Sequence, residues 1–294
     1  MAESGTANGA GDRDRLNADL NVCARWPEHA AYFSRWHRDS QVARTRTRVM
    51  QDLGYGRWRG ERMDVFPVAG ARAAPVVVFL HGGAWQARDK SDVAFLAPPL
   101  VARGIGFVAV NYDLAPRVRI RHMVHQVRRA VSVLHAQGSR WGFDSQRIFV
   151  AGHEAGGHLA VNALNPSSPV DSGLPPGAVA GGLSLSGIYD LDPIRLSYQQ
   201  ATLDLTEDDV HALSPARNLP ESAGPLLLAV GADETDVFRR QQAAFLAAWQ
   251  AAGLRGHGME LTGRHHFDAL DALAEPEHPL FQALVDLVAH DSIA

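Results

Sequence analysis

Three scarcities narrow this chain of 294 residues before any motif is considered. Cys23 is its one cysteine, so no internal disulfide can form and no cysteine metal cluster exists. The run of ~18 apolar residues that a membrane-spanning helix needs is missing. Net charge is only −4, which gives no electrostatic reason to expect a nucleic-acid or acidic-membrane partner. Lysine is nearly absent too: Lys90 stands alone among otherwise arginine cations. Residues 1–15 lack the apolar centre of a signal peptide and are rich in Gly, Ala and Asp. They are expected to form a disordered tail, and the protein to be cytoplasmic.

What is present is ordinary for a globular chain: 46% hydrophobic and 20% charged residues. No repeat or linker divides it, so residues 16–294 are expected to form one domain. Residues 16–62 mix aromatics and arginines without clean periodicity and read as a helical, cap-like segment. Apolar strands are expected at 64–68, 75–80, 105–110, 147–151, 182–185, 225–230 and 257–261. Helices are expected at 121–137, 155–164, 237–252 and 279–290. This alternation predicts an α/β fold with a mostly parallel sheet covered on both faces. Residues 192–222 break the pattern and are expected to form a small lid.

Three loops at strand ends carry the chemistry, where open α/β sheets bind ligands. Val150-Ala151-Gly152-His153-Glu154-Ala155-Gly156-Gly157 has the layout of a nucleophile elbow, a strained strand-to-helix corner that holds its middle side chain above the sheet. The usual middle residue is Ser; here it is Glu154. His81-Gly82-Gly83-Ala84-Trp85 can offer backbone N–H groups to an oxyanion, with Gly82 or Gly83 completed by the Ala155 N–H. His265-His266 follows the last strand, and His266 is expected to reach the elbow, oriented by Asp233 or Glu234. Trp85, Tyr112 and Tyr189 lie near strand ends and read equally as pocket lining or core; of these Trp85 is the substrate-contact candidate. His153 and His158 are five apart across glycines rather than four apart on one helical face, so they do not read as metal ligands. No metal and no cofactor is expected.

These residues resemble the kynurenine formamidase group of α/β-hydrolases, related to hormone-sensitive-lipase-like esterases. The segments that carry the likeness are Tyr55–Pro67, His81-Gly-Gly-Ala-Trp-Gln, Asp89-Lys-Ser, Asn111-Tyr-Asp-Leu-Ala-Pro, the elbow, Ser186–Pro193, Leu213-Ser-Pro, Phe238-Arg-Arg-Gln and His265-His-Phe-Asp. They span roughly residues 40–290. The resemblance implies a Ser–acid–His triad, a backbone oxyanion hole from the His-Gly-Gly loop, and cofactor-free hydrolysis of small aryl formamides or esters. Aligned on Phe238, it puts the acid at Glu234. It makes a homodimer plausible. The chain departs from the family at the nucleophile itself.

A glutamate there supports three chemistries. It can attack as a carboxylate nucleophile or activate water, giving formamidase- or esterase-like hydrolysis. It can leave an inactive, ligand-binding protein. The leading expectation is the third: Glu154 pairs with His266 and acts as general base in cyclisation, elimination or isomerisation of a small, possibly aromatic carbonyl compound, as in secondary metabolism. Glu is one methylene longer than the residues that usually stand there, so its oxygens are expected over ~1 Å further into the pocket, a displacement costly for nucleophilic attack.

Overall fold

A computed structural model describes residues 6–170 and 173–290. Eight strands form one sheet: β1 Met50–Gly54, β2 Arg62–Phe66, β3 Ala74–Leu80, β4 Gly106–Val110, β5 Phe143–His153, β6 Gly181–Leu185, β7 Leu226–Gly231 and β8 Gly256–Leu261. Their order is β1-β2-β4-β3-β5-β6-β7-β8. β1, β2 and β4 pair antiparallel, and every other neighbour is parallel.

Before the sheet come helices α1 Thr6–Leu20, α2 Val22–Arg25 and α3 His29–Arg46. Within it lie α4 Ala97–Ala102, α5 Ile120–Gln137, α6 Ala155–Leu164, α7 Asp192–Leu196, α8 Gln200–Leu203, α9 Glu207–Leu213, α10 Asp236–Ala251, α11 Asp268–Asp271 and α12 Pro279–His290. The side-chain period of two splits each central strand between two cores. Val76, Val78 and Leu80 pack with Val124, Val127 and Val131 of α5 and Leu159 of α6 on one face. Val77 and Phe79 pack with Phe281, Leu284 and Leu287 of α12 on the other. With both faces covered, the strands are apolar throughout, as a parallel sheet requires.

The N-terminal expectations need correction. Residues 1–5 of the expected tail lie outside the described residues, but 6–15 are helical, within α1. Tertiary contacts hold that helix in place: Arg15 pairs with Asp236 at 3.0 Å, and Asn17 Oδ1 accepts from Tyr198 N–H at 2.8 Å. Residues 16–62 are also not helical throughout, because β1 adds an edge strand at 50–54.

One buried charge cluster ties these layers to the site. Asp64 accepts from Lys90 Nζ (2.7 Å), Asp52 N–H (2.9 Å) and the Arg44 guanidinium (3.1 Å), with its side chain 1% exposed. Burial pulls the Lys90 pKa down, but the carboxylates of Asp52 and Asp64 outweigh it and hold it above the ordinary value. Asp64→Ala is expected to cost about 3 kcal/mol in urea unfolding, since it removes the buried carboxylate that Arg44 and Lys90 share, leaving Lys90 to Asp52 and Arg44 to the carbonyls of Lys90 and Ser91. A loss under about 1 kcal/mol would contradict that reading.

Candidate active site

Glu154 stands between β5 and α6 with φ +54° and ψ −115°, a left-handed backbone that costs a non-glycine residue on the order of 1–3 kcal/mol. Two glycines permit the corner. A Cβ on Gly152 would fall 2.2 Å from Gly156 O, and one on Gly156 would fall 2.0 Å from Leu80 O. The Glu154 N–H donates to Leu185 O at 2.9 Å, locking the corner to β6.

The Glu154 side chain does not turn to the histidine. It crosses to the loop after β3, where the N–H groups of Gly83 and Ala84 both donate to Oε2 at 2.7 Å. Positive φ angles at Gly83 (113°), Ala84 (52°) and Trp85 (58°) aim these N–H groups inward. Gly82 gives the room: a Cβ there would lie 3.1 Å from Oε2. Oε1 takes no hydrogen bond from the described residues and borders the cavity.

His266 is a separate, completed unit. It is 2% exposed, and its Nδ1–H donates to Glu234 Oε2 at 2.8 Å. Glu234 Oε1 accepts from Gly231 N–H at 2.9 Å and from the Ser186 hydroxyl. His153 Nε2–H donates to the His266 carbonyl at 2.9 Å, and its ring sits 4.8 Å from that of His266. Phe238 packs on the other side at 4.7 Å. With Nδ1 engaged, Nε2 is left facing the cavity. No ion pair joins Glu154 to His266 among the described residues, so the expected Glu–His charge pair is corrected: the extra methylene carries the carboxylate past the histidine to the loop.

Glu154 and His266 share a cavity of about 260 Å³. Its walls are mainly apolar, from Phe33, Trp36, Phe238, Phe267 and Leu270. Leu20, Val22 and Cys23 close it from the N-terminal segment, and Tyr198 and Gln199 from the 192–222 excursion. Burial raises the Cys23 thiol above its ordinary range, with the Glu154 charge a second cause.

Other sequence candidates fall elsewhere. Asp233 is exposed, because the turn after β7 brings only Glu234 inward. Trp85 is 0% exposed and does not line the cavity; its left-handed backbone swings the indole into the core, edge-on to His158 at 5.3 Å. Tyr112 donates to His81 O at 2.7 Å, and Tyr189 stacks on Phe245 at 4.3 Å. Ala155 begins α6 directly after Glu154, and its N–H has no acceptor among the described residues; the carboxylate's donors are Gly83 and Ala84. His265 stacks on Trp26 at 5.1 Å, under the N-terminal helices. His153 and His158 bind carbonyls of different elements, that of His266 in the loop after β8 and that of Leu213 at the end of α9. Among the described residues no group of three or more His, Cys, Asp and Glu is placed to hold a metal. Arg88 and Gln199 also line the cavity, and neither carries a sequence signal of that role beyond the nearness of Arg88 to the donor loop.

Buried histidines also set a pH limit. Burial pushes His158 down to about 4 and His153 well below its ordinary value, the charge of His266 adding to the latter. The unfolded chain takes these protons near pH 6.5 while the fold refuses them. Stability is therefore full above that pH and is expected to fall between about pH 6.5 and 4, by on the order of 3 kcal/mol for His158. Urea midpoints at pH 7.5 and 5.0 check this; equal midpoints contradict it.

The BD-FAE family model matches residues 63–168, the stretch from β2 through α6. The kynurenine formamidase of Danio rerio is 31% identical over 264 residues, covering 88% of each chain. That of Salmo salar is 32% identical over 256 residues, covering 85% of each. The chain belongs to the kynurenine formamidase family of α/β-hydrolases. A solved structure described as a proposed thioesterase from a Silicibacter species superposes with a TM-score of 0.80 at 27% identity, covering 93% of this chain and 98% of that one. An esterase from Pyrobaculum calidifontis shares the fold, with a TM-score of 0.69 over 92% of this chain and 95% of its own. Within the family, then, this is a member of the formamidase and esterase group with a glutamate at the elbow and a closed pair of loop donors.

Proposed function

We propose that this family member moves a proton rather than an acyl group. Its substrate is a small carbonyl compound, and the step is a cyclisation, elimination or isomerisation. One observation carries the reading: Glu154 Oε2 already occupies the two N–H donors, Gly83 and Ala84, that an acyl-transfer oxyanion would need. The same carboxylate fills the nucleophile position and takes the Gly83 and Ala84 donors, so a tetrahedral intermediate would have no hydroxyl to form it and only the Ala155 N–H left to hold it.

What is left open fits proton transfer. Glu154 Oε1 is an anchored base, fixed through its sister oxygen. His266 Nε2 is the second proton-transfer atom, its tautomer set by Glu234. They do not pair with each other, so a substrate can lie between them and lose a proton to one while gaining one from the other. The apolar walls exclude water from the intermediate. No covalent adduct is required.

The test is proton exchange in D₂O with a panel of small aryl ketones and 2-oxo acids, followed by NMR. The wild type is expected to accelerate α-proton exchange, and Glu154→Gln and His266→Asn each to lose the acceleration by about 10²-fold or more. A hydrolytic reading is favoured by the formamidase names of the relatives. It prevails if the wild type releases formate from N-formylkynurenine and Glu154→Gln does not.

A further inference from the structure

The cavity is lined by a cation that the proposed proton transfer does not use. Arg88 follows the donor loop, with its backbone at φ +76°, the left-handed region that side chains rarely adopt. The loop and this residue form one unit. Gln86 and Ala87 N–H groups both donate to Gly83 O at 2.9 Å, and a Cβ on Gly83 would lie 2.6 Å from Arg88 Cγ. The stem of Arg88 therefore packs against the same glycine whose N–H holds Glu154. Its guanidinium lies over the Phe33 ring, 3.8 Å from the centroid, in the cavity wall.

That guanidinium is under-partnered for its burial. Its one carboxylate partner among the described residues is Asp92, 3.0 Å from Nη2, and Asp92 also takes the His37 ring at 3.1 Å. Nη2 is buried beside Asp92, whereas Nε and Nη1 have no acceptor among the described residues and are not fully buried. Burial holds the Arg88 pKa below its ordinary value, with Asp92 opposing. A guanidinium with donors left over, stacked on an aromatic ring in a mainly apolar wall, is suited to hold a carboxylate.

We infer that Arg88 is a specificity-determining residue, anchoring a carboxylate on the substrate while the reacting carbonyl lies between Glu154 and His266. The ligand class is a compact aromatic or aliphatic carboxylic acid with a second carbonyl, its apolar body against Phe33 and Trp36. This rests on the cavity assigned under the proposed function but not on the reaction. Anchoring is read from binding alone, so either idea can fail without the other.

The experiment compares benzoate with its neutral isostere benzamide, by calorimetry or ligand-observed NMR, on the full chain. Benzoate is expected to bind the wild type at least 10-fold more tightly. Arg88→Gln is expected to erase the difference and Arg88→Lys to keep part of it. Asp92→Asn, which removes the competing carboxylate, is expected to tighten benzoate alone. If Arg88→Gln does not fold, the Arg88→Lys and Asp92→Asn pair decides by the same preference. Equal binding of benzoate and benzamide by the wild type overturns the assignment, as does a preference that survives Arg88→Gln. Competition by inorganic phosphate as strong as by benzoate overturns the choice of carboxylate.

Discussion

Glu154→Ser is expected to gain hydrolysis of p-nitrophenyl acetate and N-formylkynurenine, by about 10²-fold or more over the wild type. The substitution makes two changes at once. It puts a hydroxyl at the strained corner above the sheet, on the side from which His266 Nε2 looks into the cavity. It also withdraws the carboxylate from the N–H groups of Gly83 and Ala84, which then face the cavity with two donors free. Loss of a single oxyanion donor typically costs ~10²–10³ in rate, so opening two together with a nucleophile sets the scale. The stability change is expected to be small, because the corner already accepts a non-glycine residue. A folded Glu154→Ser variant with no hydrolysis would mean that the remaining groups are not arranged for acyl transfer.

The second large effect concerns Glu234. In the Glu154→Ser background, Glu234→Ala is expected to remove the gained hydrolysis by ~10²-fold or more, and His266→Ala by ~10²–10⁴-fold. Glu234→Ala alone is expected to cost about 3–5 kcal/mol of stability. Its carboxylate is 0% exposed and holds three donors: the His266 ring, Gly231 N–H and the Ser186 hydroxyl. Truncation strands all three where water does not reach. Asp233→Ala, one residue away but exposed, is the control and is expected to stay within about 0.5 kcal/mol. Equal effects at 233 and 234 would contradict the dyad.

The elbow was readable because its chemistry is local: glycines at 152 and 156 are demanded by backbone approaches under 2.5 Å, and no larger residue meets that demand. The central strands were readable because burial on both faces leaves an uninterrupted apolar run. β1 was not. Its residues Met50-Gln-Asp-Leu-Gly are an edge segment with three of five exposed, so they carry no apolar signal. α1 escaped for a related reason. It is polar, and it is held by Arg15–Asp236 and Asn17–Tyr198, contacts across about 180 to 220 positions that no local pattern encodes.

The site divides the same way. That an acid orients His266 follows from chain order, but the choice between Asp233 and Glu234 depends on which side of a tight turn each residue leaves. The direction of Glu154 was the least legible feature. Sequence puts a carboxylate near a histidine, and charge alone favours pairing them. The structure resolves the competition differently: His266 Nδ1 is already satisfied by Glu234, while two backbone N–H groups stand in reach of the longer side chain. Trp85 reads from sequence as pocket lining or core alike, because nothing local reveals the left-handed backbone at Ala84 and Trp85 that turns its indole inward.

Under the proposed function, Glu154 closes the acyl-transfer route instead of serving it. Formate release from N-formylkynurenine by the wild type and by Glu154→Ala, measured side by side, tests that most directly. The wild type is expected to be no faster than Glu154→Ala. A wild-type rate about 10²-fold above that of Glu154→Ala would contradict it and make Glu154 a hydrolytic catalyst.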